Sequence, residues 1–453
     1  MKSTNNTSVK LPPAVPFIVA NETAERFSYY GMNTILMVYL TSAAYLAMPK
    51  AEAAGWIHLF KGAVYFFPLF GALLADILFG KYRVMFWLSL VYCVGHLALA
   101  IPDIFVTMGF PQPDLRLCLF WGLALIALGS GGIKSCTSAI LGDQFSAKDQ
   151  HLMTHVYHWF YLGINTGAFF STLLTPWLLK HYGPGWAFGV PGIFMALATL
   201  ILWLGRKKYR PVKPAGKAFF AEFRNRDSLM ALGKVSLVFL FLILFWAVYE
   251  QTSTLWVKQA QGMNNQIFAN CSFLPDSIQN FKILPSQVQA VNPLLILTLI
   301  PVFTRWLYPW WHRTWGHGTL PKIAVGLFLT AIAQIFPFCF EIAAQKGIVL
   351  NIAWQILGYL ILTTAEVFVS VTSLEFAYTQ SPKSMKSVVM GIYLMTITAG
   401  NFFVAGINFL CEKNSEFLAG NSYYLFFLIL ALANAILFLV VSRFYEEKTI
   451  LQD

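Results

Sequence analysis

Three charged residues stand inside an otherwise apolar stretch near the start of the chain. Glu22, Glu25 and Arg26 follow LPPAVPFIVA and precede MNTILMVYLTSAAYLAM. Paired acids and a base in poorly hydrated surroundings can take up, hold and release protons as their partners move. Because acids outnumber bases here, a role in proton transfer is favoured. The alternative, which stays open, is an ion pair that only holds helices together.

A helix over this stretch gathers the polar residues on one face. A charge that faces lipid costs several kcal/mol, so this face must look onto a cavity or onto partner helices. A stripe of charged, phenolic and amide groups indicates a wet pathway. The residues that share the face at helical spacing are Glu22, Glu25, Arg26, Tyr29, Tyr30 and Asn33.

Other ionisable residues lie deep in apolar segments of both halves of the chain. Each alone could be a satisfied core charge. Together they indicate titratable carboxylates and fixed positive charge around one central cavity. They are His58, Lys61, Lys134, Glu250 and Glu366.

The composition is that of a polytopic membrane protein. Of 453 residues, 57% are hydrophobic and 11% are charged, whereas a soluble domain carries about 25% charged residues. The net charge of +11 fits the excess of Lys and Arg in cytoplasmic loops, and with no basic soluble face it argues against a nucleic-acid partner. The start of the chain has no signal-peptide pattern. Twelve spans are predicted, at 14–45, 53–79, 83–102, 115–142, 151–180, 184–205, 229–258, 285–307, 321–342, 348–379, 385–411 and 421–445.

The link between the sixth and seventh predicted spans divides the chain into two six-helix halves. It holds eight Lys and Arg residues between Arg206 and Arg226, whereas the next link holds only Lys282. This asymmetry predicts that the first link and both termini are cytoplasmic. The predicted units are 1–205, 206–228 and 229–453. Two bundles joined in this way are typical of a transporter with its site between them.

Six motifs, in order along the chain, resemble those of the proton-dependent oligopeptide transporter family, a branch of the major facilitator superfamily. NETAERFSYYG matches its EXXERFXYYG hallmark, and HWFYLGINTGAFFS matches FYXXINXG. The resemblance implies an all-α polytopic membrane protein with the major facilitator superfamily fold: twelve transmembrane helices in two six-helix bundles. The other matching segments are YFFPLFGALLADILFGKYR, GSGGIKSCTSAILGDQFS, FWAVYEQTSTLW and AEVFVSVTSLEFAYTQSPKSMKSVVMG.

The resemblance also implies a function and residue roles. It implies import of di- and tripeptides by alternating access, with protons as the coupling ion, no other cofactor and no enzymatic reaction. Proton coupling is implied for Glu22, Glu25, Arg26, His58, Lys134 and Glu250. Substrate binding is implied for Arg26, Tyr29, Tyr30, Asn33, Tyr65, Lys134, Asn165, Trp246, Asn292, Trp354 and Glu366.

The chemistry of the substrate fits these residues independently of the family. Every short peptide zwitterion carries one ammonium and one carboxylate group. Glu366 could bind the first, and Arg26 with Lys134 the second, through charge-assisted hydrogen bonds. One departure concerns Asn33, which stands where the family usually has an arginine. Glu250 thereby loses its usual partner, and Lys61 is the candidate replacement.

Several alternatives stay open at this point. The same fold could carry nitrate, histidine or another amino acid, or a peptide-like drug. A channel or a receptor is disfavoured by the scattered charges and by the short C-terminal end. A membrane enzyme would depend on His151, His155 and His158. We expect a functional monomer in a bacterial inner membrane, and a disulfide between Cys271 and Cys411 is left open.

Overall fold

The computed structural model is almost entirely helical. It describes residues 11–145, 150–210, 226–268, 274–316, 318–380 and 386–445, together with the single positions 212, 214 and 216. Most of the linker and Cys271 lie outside these residues, so the unit boundaries at 205 and 228 stay predictions, and so does the disulfide.

The described residues form twelve long helical segments, one for each predicted span. The first six are α1 (Val15–Thr41), α2 (Lys50–Leu73, continued by a π-helical turn, Leu74–Phe79), α3 (Lys81–Thr107), α4 (Leu115–Asp143), α5 (Gln150–Tyr182) and α6 (Pro184–Leu204). The next three are α7 (Arg226–Tyr249, then Glu250–Ser253 and Leu255–Ala260), α8 (Pro285–Ala290, Val291–Val302, Phe303–Leu307 and Tyr308–Trp315) and α9 (Leu320–Gln345). The last three are α10 (Ala353–Glu366, Val367–Val371 and Thr372–Gln380), α11 (Lys386–Lys413) and α12 (Asn421–Arg443).

Ten of the described helices are long and apolar enough to cross a membrane, and α1 and α5 are not among them. The polar residues of α1 explain its low hydropathy, and they are buried inside the protein. Asn21, Glu22, Glu25, Arg26 and Asn33 are each at most 9% exposed. Because α1 turns its charges away from lipid, it can span the membrane without meeting the hydropathy expected of a lipid-facing helix.

The twelve segments pack as two bundles of six. In the N-terminal bundle, α1 packs against α5 and α6, and α3 and α2 both pack against α4. In the C-terminal bundle, α9 packs against α10 and α12, and α7 packs against α11. The largest boundary error is at α8, which was predicted to end at 307 and continues to Trp315. The sequence of this last part, YPWWHRTW, mixes aromatic and basic residues and therefore lacks the apolar run that marks a span.

Glycine allows two helix pairs in the N-terminal bundle to approach closely. A Cβ atom at Gly71 of α2 would lie 2.1 Å from the carbonyl oxygen of Gly131 in α4. A Cβ atom at Gly167 of α5 would lie 2.5 Å from the carbonyl oxygen of Thr23 in α1. These distances are too short for any larger residue, so tight packing is the role of both glycines.

The two bundles are bonded to each other toward one end. All hydrogen bonds and ion pairs recorded between described residues of different bundles lie at the central cavity or between it and the end that carries the 42–49 loop. α2 bonds to α7 and α11 there, while the first turns of α8 bond to α1 and α5. The protein is therefore closed at that end.

Candidate functional site

A cavity of about 170 Å³ lies between the two bundles. Helices α1, α2 and α5 form one wall, and α7, α8 and α10 form the other. Predicted residues that line it are Tyr29, Tyr30, Asn33, Lys61, Tyr65, Asn165, Trp246, Glu250, Asn292 and Glu366.

The three charges of α1 form one buried cluster. The Nε atom of Arg26 lies 2.6 Å from Oε1 of Glu22 and 3.0 Å from Oε2 of Glu25. Glu22 stands one turn before Arg26, so the helix itself brings the two together. The second oxygen of each carboxylate, Oε2 of Glu22 and Oε1 of Glu25, has no hydrogen-bond partner among the described residues. Two buried carboxylates that share one guanidinium can accept a proton at these open positions.

Lys134 of α4 stands apart from this ion-pair cluster. Its Nζ atom lies over the ring of Tyr29, 4.3 Å from the centroid, and 5.0 Å from the centroid of the Tyr65 ring. Among the described residues no carboxylate oxygen lies within 4 Å of it. The two rings stabilise the ammonium group through cation–π contacts. The ammonium group is therefore held by aromatic rings instead of by a carboxylate.

Glu366 provides the negative charge on the opposite wall. Its Oε2 atom accepts a hydrogen bond of 2.8 Å from Nδ2 of Asn292, which also donates to Thr363 at 3.1 Å. Glu366 is the last residue of the α-helical part of α10, and the π-helical turn Val367–Val371 follows it. Such π-helical turns occur frequently at functional sites. The carboxylate of Glu366 therefore lines the cavity, and the amide of Asn292 holds its orientation.

A second buried ion pair joins the two bundles. The Nζ atom of Lys61 in α2 lies 2.5 Å from Oε2 of Glu250 in α7 and 2.5 Å from Oγ of Ser253. The side chains of Lys61 and Glu250 are 5% and 8% exposed. This pairing was predicted from the absence of an arginine at Asn33 and is confirmed. The α-helix of α7 gives way at Glu250 to a tighter 3-10 turn, which brings Glu250 and Ser253 to the same lysine.

His58 lies one turn before Lys61 and also joins the bundles. One of its ring nitrogens, Nδ1, lies 2.9 Å from Oδ1 of Asn401, and the other, Nε2, lies 3.0 Å from Oγ1 of Thr254. The residue is fully buried. Both ring nitrogens are thus held by the C-terminal bundle, and His58 does not line the central cavity.

Three residues that were predicted to bind substrate do not line this cavity: Arg26, Lys134 and Trp354. Trp354 was predicted to line the pocket, but it is 54% exposed near the start of α10, far along the helix from Glu366. That prediction was wrong, because matching a motif position did not show which side of the helix faces inward. Tyr249 and Tyr359 line the cavity instead and were not predicted. Tyr249 could have been found, since it lies three residues after Trp246 and beside Glu250.

No observation in the described residues supports the hypothesis of a membrane enzyme that uses His151, His155 and His158. The side chain of His151 lies outside the described residues. Within the part of the chain that the structure describes, no group of three or more His, Cys, Asp or Glu side chains is placed to hold a metal ion.

Comparisons with known proteins agree with these features. A family model described as the POT family matches residues 82–226 and 221–424. Peptide transporter family 1 of Drosophila melanogaster is 35% identical over 379 residues, which are 75% of this chain and 49% of that protein. Solute carrier family 15 member 2 of Homo sapiens is 33% identical over 75% of this chain and 49% of its own length. The chain thus spans about half the length of the curated relatives it matches.

Solved structures resemble the whole chain. A crystal structure described as an auto-inhibited POT family peptide transporter superposes with a TM-score of 0.83 and 32% identity, covering 98% of this chain and 99% of that one. The POT family transporter PepTSo gives a TM-score of 0.82 and 32% identity, covering 96% of this chain and 98% of its own. The predicted major facilitator superfamily fold, with twelve transmembrane helices in two six-helix bundles, is confirmed.

Proposed function

The chain belongs to the POT family, and on this basis we propose that it is a proton-coupled symporter that imports di- and tripeptides by alternating access. It is an integral membrane protein. We further propose that it works as a monomer in a bacterial inner membrane with both termini in the cytoplasm. The closed end at the 42–49 loop then faces outward, and the structure corresponds to an inward-facing state.

The observation that carries the proposal is a carboxylate that lines the cavity, together with an ammonium group packed against two of the tyrosine rings that line the opposite wall. Glu366, oriented by Asn292, lies on the C-terminal wall. The ammonium group of Lys134 lies over the two tyrosine rings of the N-terminal wall. A peptide zwitterion matches this arrangement because its ammonium group binds a carboxylate and its carboxylate binds an ammonium group. The two charges bind the terminal ammonium and carboxylate groups that all short peptides share. The aromatic residues of the cavity contact the peptide side chains, which vary.

The α1 cluster supplies the proton-coupling step of the proposal. Glu22 and Glu25 share Arg26, so a peptide carboxylate that competes for the guanidinium weakens its hold on one glutamate. The glutamate that is released from Arg26 then takes up a proton more readily, because its negative charge has lost its partner. Binding of peptide and proton thus favour each other, and the pair titrates as a coupled unit.

Uptake into liposomes tests the substrate class. The purified protein is reconstituted, and uptake of labelled dialanine is followed with and without an inward proton gradient. We expect accumulation under the gradient that unlabelled tripeptide blocks and that free alanine, histidine and nitrate do not block. Empty liposomes and liposomes with the Glu366→Gln variant are the controls.

A different cargo is the second candidate, and Asn33 is the observation that favours it. Its amide lines the cavity where the family motif usually has an arginine, so position 33 offers no positive charge to a peptide carboxylate. Competition by histidine or another amino acid, with none by tripeptide, would assign the cavity to single amino acids. Glu366 favours an ammonium-bearing cargo over nitrate.

A further inference from the structure

The walls of the central cavity offer no free positive charge to the side chain of a substrate. Among the described residues that line it, Lys61 is the single Lys, Arg or His side chain, and its ammonium group is already bonded to Glu250 and Ser253. We infer that this transporter selects peptides by side-chain charge: it binds peptides with neutral or cationic side chains and binds acidic ones poorly, and Asn33 sets this preference. The inference rests on the proposed function, since it concerns the same cavity and the same class of substrate.

The other cations near the cavity are occupied once a peptide is bound. The guanidinium group of Arg26 pairs with both Glu22 and Glu25. The ammonium group of Lys134, held over two tyrosine rings, is the one proposed for the terminal carboxylate of the peptide. A second carboxylate, on a peptide side chain, then has no cation left to bind. Since a buried charge without a partner is strongly disfavoured, an acidic side chain weakens binding.

The balance of charge around the cavity favours a cationic side chain. With every group ionised, carboxylates outnumber cations by one. A dipeptide zwitterion with a neutral side chain leaves this excess as it is, whereas the ammonium group of a lysine side chain neutralises it. The groups in this balance are Glu22, Glu25, Glu250 and Glu366 against Arg26, Lys61 and Lys134.

The aromatic residues of the cavity act in the same direction. The face of an aromatic ring carries partial negative charge, so it attracts a cation and repels an anion. The protein already holds one ammonium group in this way, because Nζ of Lys134 lies 4.3 Å and 5.0 Å from two ring centroids. The lysine or arginine side chain of a peptide can bind in the same manner. The aromatic residues that line the cavity are Tyr29, Tyr30, Tyr65, Trp246, Tyr249 and Tyr359.

Asn33 is the position at which one substitution changes this preference. Its side chain lines the cavity from α1 and is 5% exposed. The amide carries no charge, and Glu250 is already paired with Lys61. An arginine at position 33 would therefore leave one cation unpaired, whichever of the two cations bonded to Glu250. That cation would bind an acidic side chain and repel a cationic one.

Dipeptides that differ in the charge of one side chain test the inference. Alanyl-lysine, alanyl-glutamine and alanyl-glutamate are titrated into the purified protein at neutral pH, and isothermal titration calorimetry measures their affinities. Alanyl-glutamine is the neutral reference, because it has nearly the same shape as alanyl-glutamate. We expect alanyl-glutamate to bind about tenfold or more weakly than alanyl-glutamine, since its side chain is left unpaired. Alanyl-lysine should bind at least as tightly as alanyl-glutamine.

Two variants of position 33 separate charge from shape. Asn33→Arg adds an unpaired cation, and we expect alanyl-glutamate to gain about tenfold relative to alanyl-glutamine while alanyl-lysine loses affinity. Asn33→Gln alters the length of the side chain and not its charge. Whatever its effect on affinity, the wild-type order of the three dipeptides should remain. Binding of alanyl-glutamine shows that each variant is folded, and the wild-type comparison does not depend on the variants.

Equal affinities of the wild type for alanyl-glutamate and alanyl-glutamine would overturn the inference and leave the proposed cargo intact. The wild-type order in Asn33→Arg, or the same change of order in Asn33→Gln as in Asn33→Arg, would overturn the role of charge at position 33. Failure of all three dipeptides to bind the wild type would instead overturn the proposed cargo, and the inference with it.

Discussion

The two buried charge groups of this protein differ in what they join. Glu22, Glu25 and Arg26 belong to one turn and a half of a single helix, and their ion pairs stay within the N-terminal bundle. Lys61 and Glu250 belong to different bundles. The first group can keep its contacts while the bundles move apart, whereas the second must break whenever the outer end opens.

This difference indicates different roles for the α1 cluster and the Lys61–Glu250 pair, although both are charges within apolar segments of the sequence. Buried contacts that persist through the cycle suit a group that must hold a proton while access changes. Contacts that exist in only one state suit a group that sets the population of that state. Hydropathy does not distinguish the two groups, since both place charge inside a predicted span. They are distinguished by whether the ion-pair partner lies in the same bundle or in the other one.

The largest effect is expected from breaking the α1 cluster. Arg26→Met leaves two carboxylates buried and unpaired, and we expect the free energy of unfolding to fall by about 3–5 kcal/mol. Thermal unfolding in detergent measures the loss. Arg26→Met/Glu22→Gln/Glu25→Gln should recover most of it, because the unpaired charges are gone. Equal unfolding temperatures for the wild type and Arg26→Met would show that the cluster does not stabilise the bundle.

A smaller effect, on binding, is expected from Glu366, which belongs to neither group. Glu366→Gln removes the charge but keeps the shape, and we expect dialanine affinity to fall by about 10- to 100-fold, the range of a charge-assisted hydrogen bond. Isothermal titration calorimetry measures it. N-acetyl-dialanine, which lacks the ammonium group, should bind wild type and variant equally weakly. A variant that still distinguishes the two peptides as the wild type does would remove Glu366 from the site.

A still smaller effect is expected at His58, beside the cross-bundle ion pair. His58→Phe removes the hydrogen bonds to Asn401 and Thr254, and with a net contribution of about 1 kcal/mol we expect the open population to rise about fivefold. Double electron–electron resonance between nitroxide labels at Ala44 and Ile278, exposed positions of the two bundles at the closed end, measures the change in a variant without the six native cysteines. Asn401→Ala should have little additional effect in the His58→Phe background, since the shared bond is already lost. Fully additive effects would contradict a direct role for that bond.

The smallest effect is expected where the sequence-based prediction failed. Trp354→Ala should leave dialanine affinity unchanged, because the side chain is 54% exposed and outside the cavity. Trp246→Ala is the matched comparison, since Trp246 is 7% exposed and lines the cavity, and it should weaken binding. Equal losses in the two variants would mean that the cavity extends to the start of α10.

The sequence predicted the helices, the fold and most of the cavity for clear physical reasons. Long apolar runs predict spans, and a basic linker between the sixth and seventh spans predicts two bundles. The helical spacing in α1 predicted that Tyr29, Tyr30 and Asn33 continue the charged face, and all three line the cavity. Even α1, which is not among the helices apolar enough to count as a span, was predicted because apolar segments flank its charges on both sides.

Pairing between distant residues was harder to predict. Lys61 was inferred as the partner of Glu250 only because position 33 lacks an arginine, and no spacing within the sequence joins the two. The position of Lys134 over the Tyr29 and Tyr65 rings, instead of beside a glutamate, depends on how α4 packs against α1 and α2. Trp354 shows the same limit, since side-chain direction depends on the tertiary contacts of α10.

Gradient-driven uptake in Glu22→Gln tests the central claim most directly. Wild type and Glu22→Gln are reconstituted in parallel, and labelled dialanine is followed in two modes: accumulation under an inward proton gradient, and counterflow exchange without a gradient. We predict that the wild type does both and that Glu22→Gln keeps exchange but loses accumulation, because the proton acceptor is gone while the binding and closing residues remain. Accumulation by Glu22→Gln at the wild-type level would contradict the assignment of the α1 cluster to proton coupling.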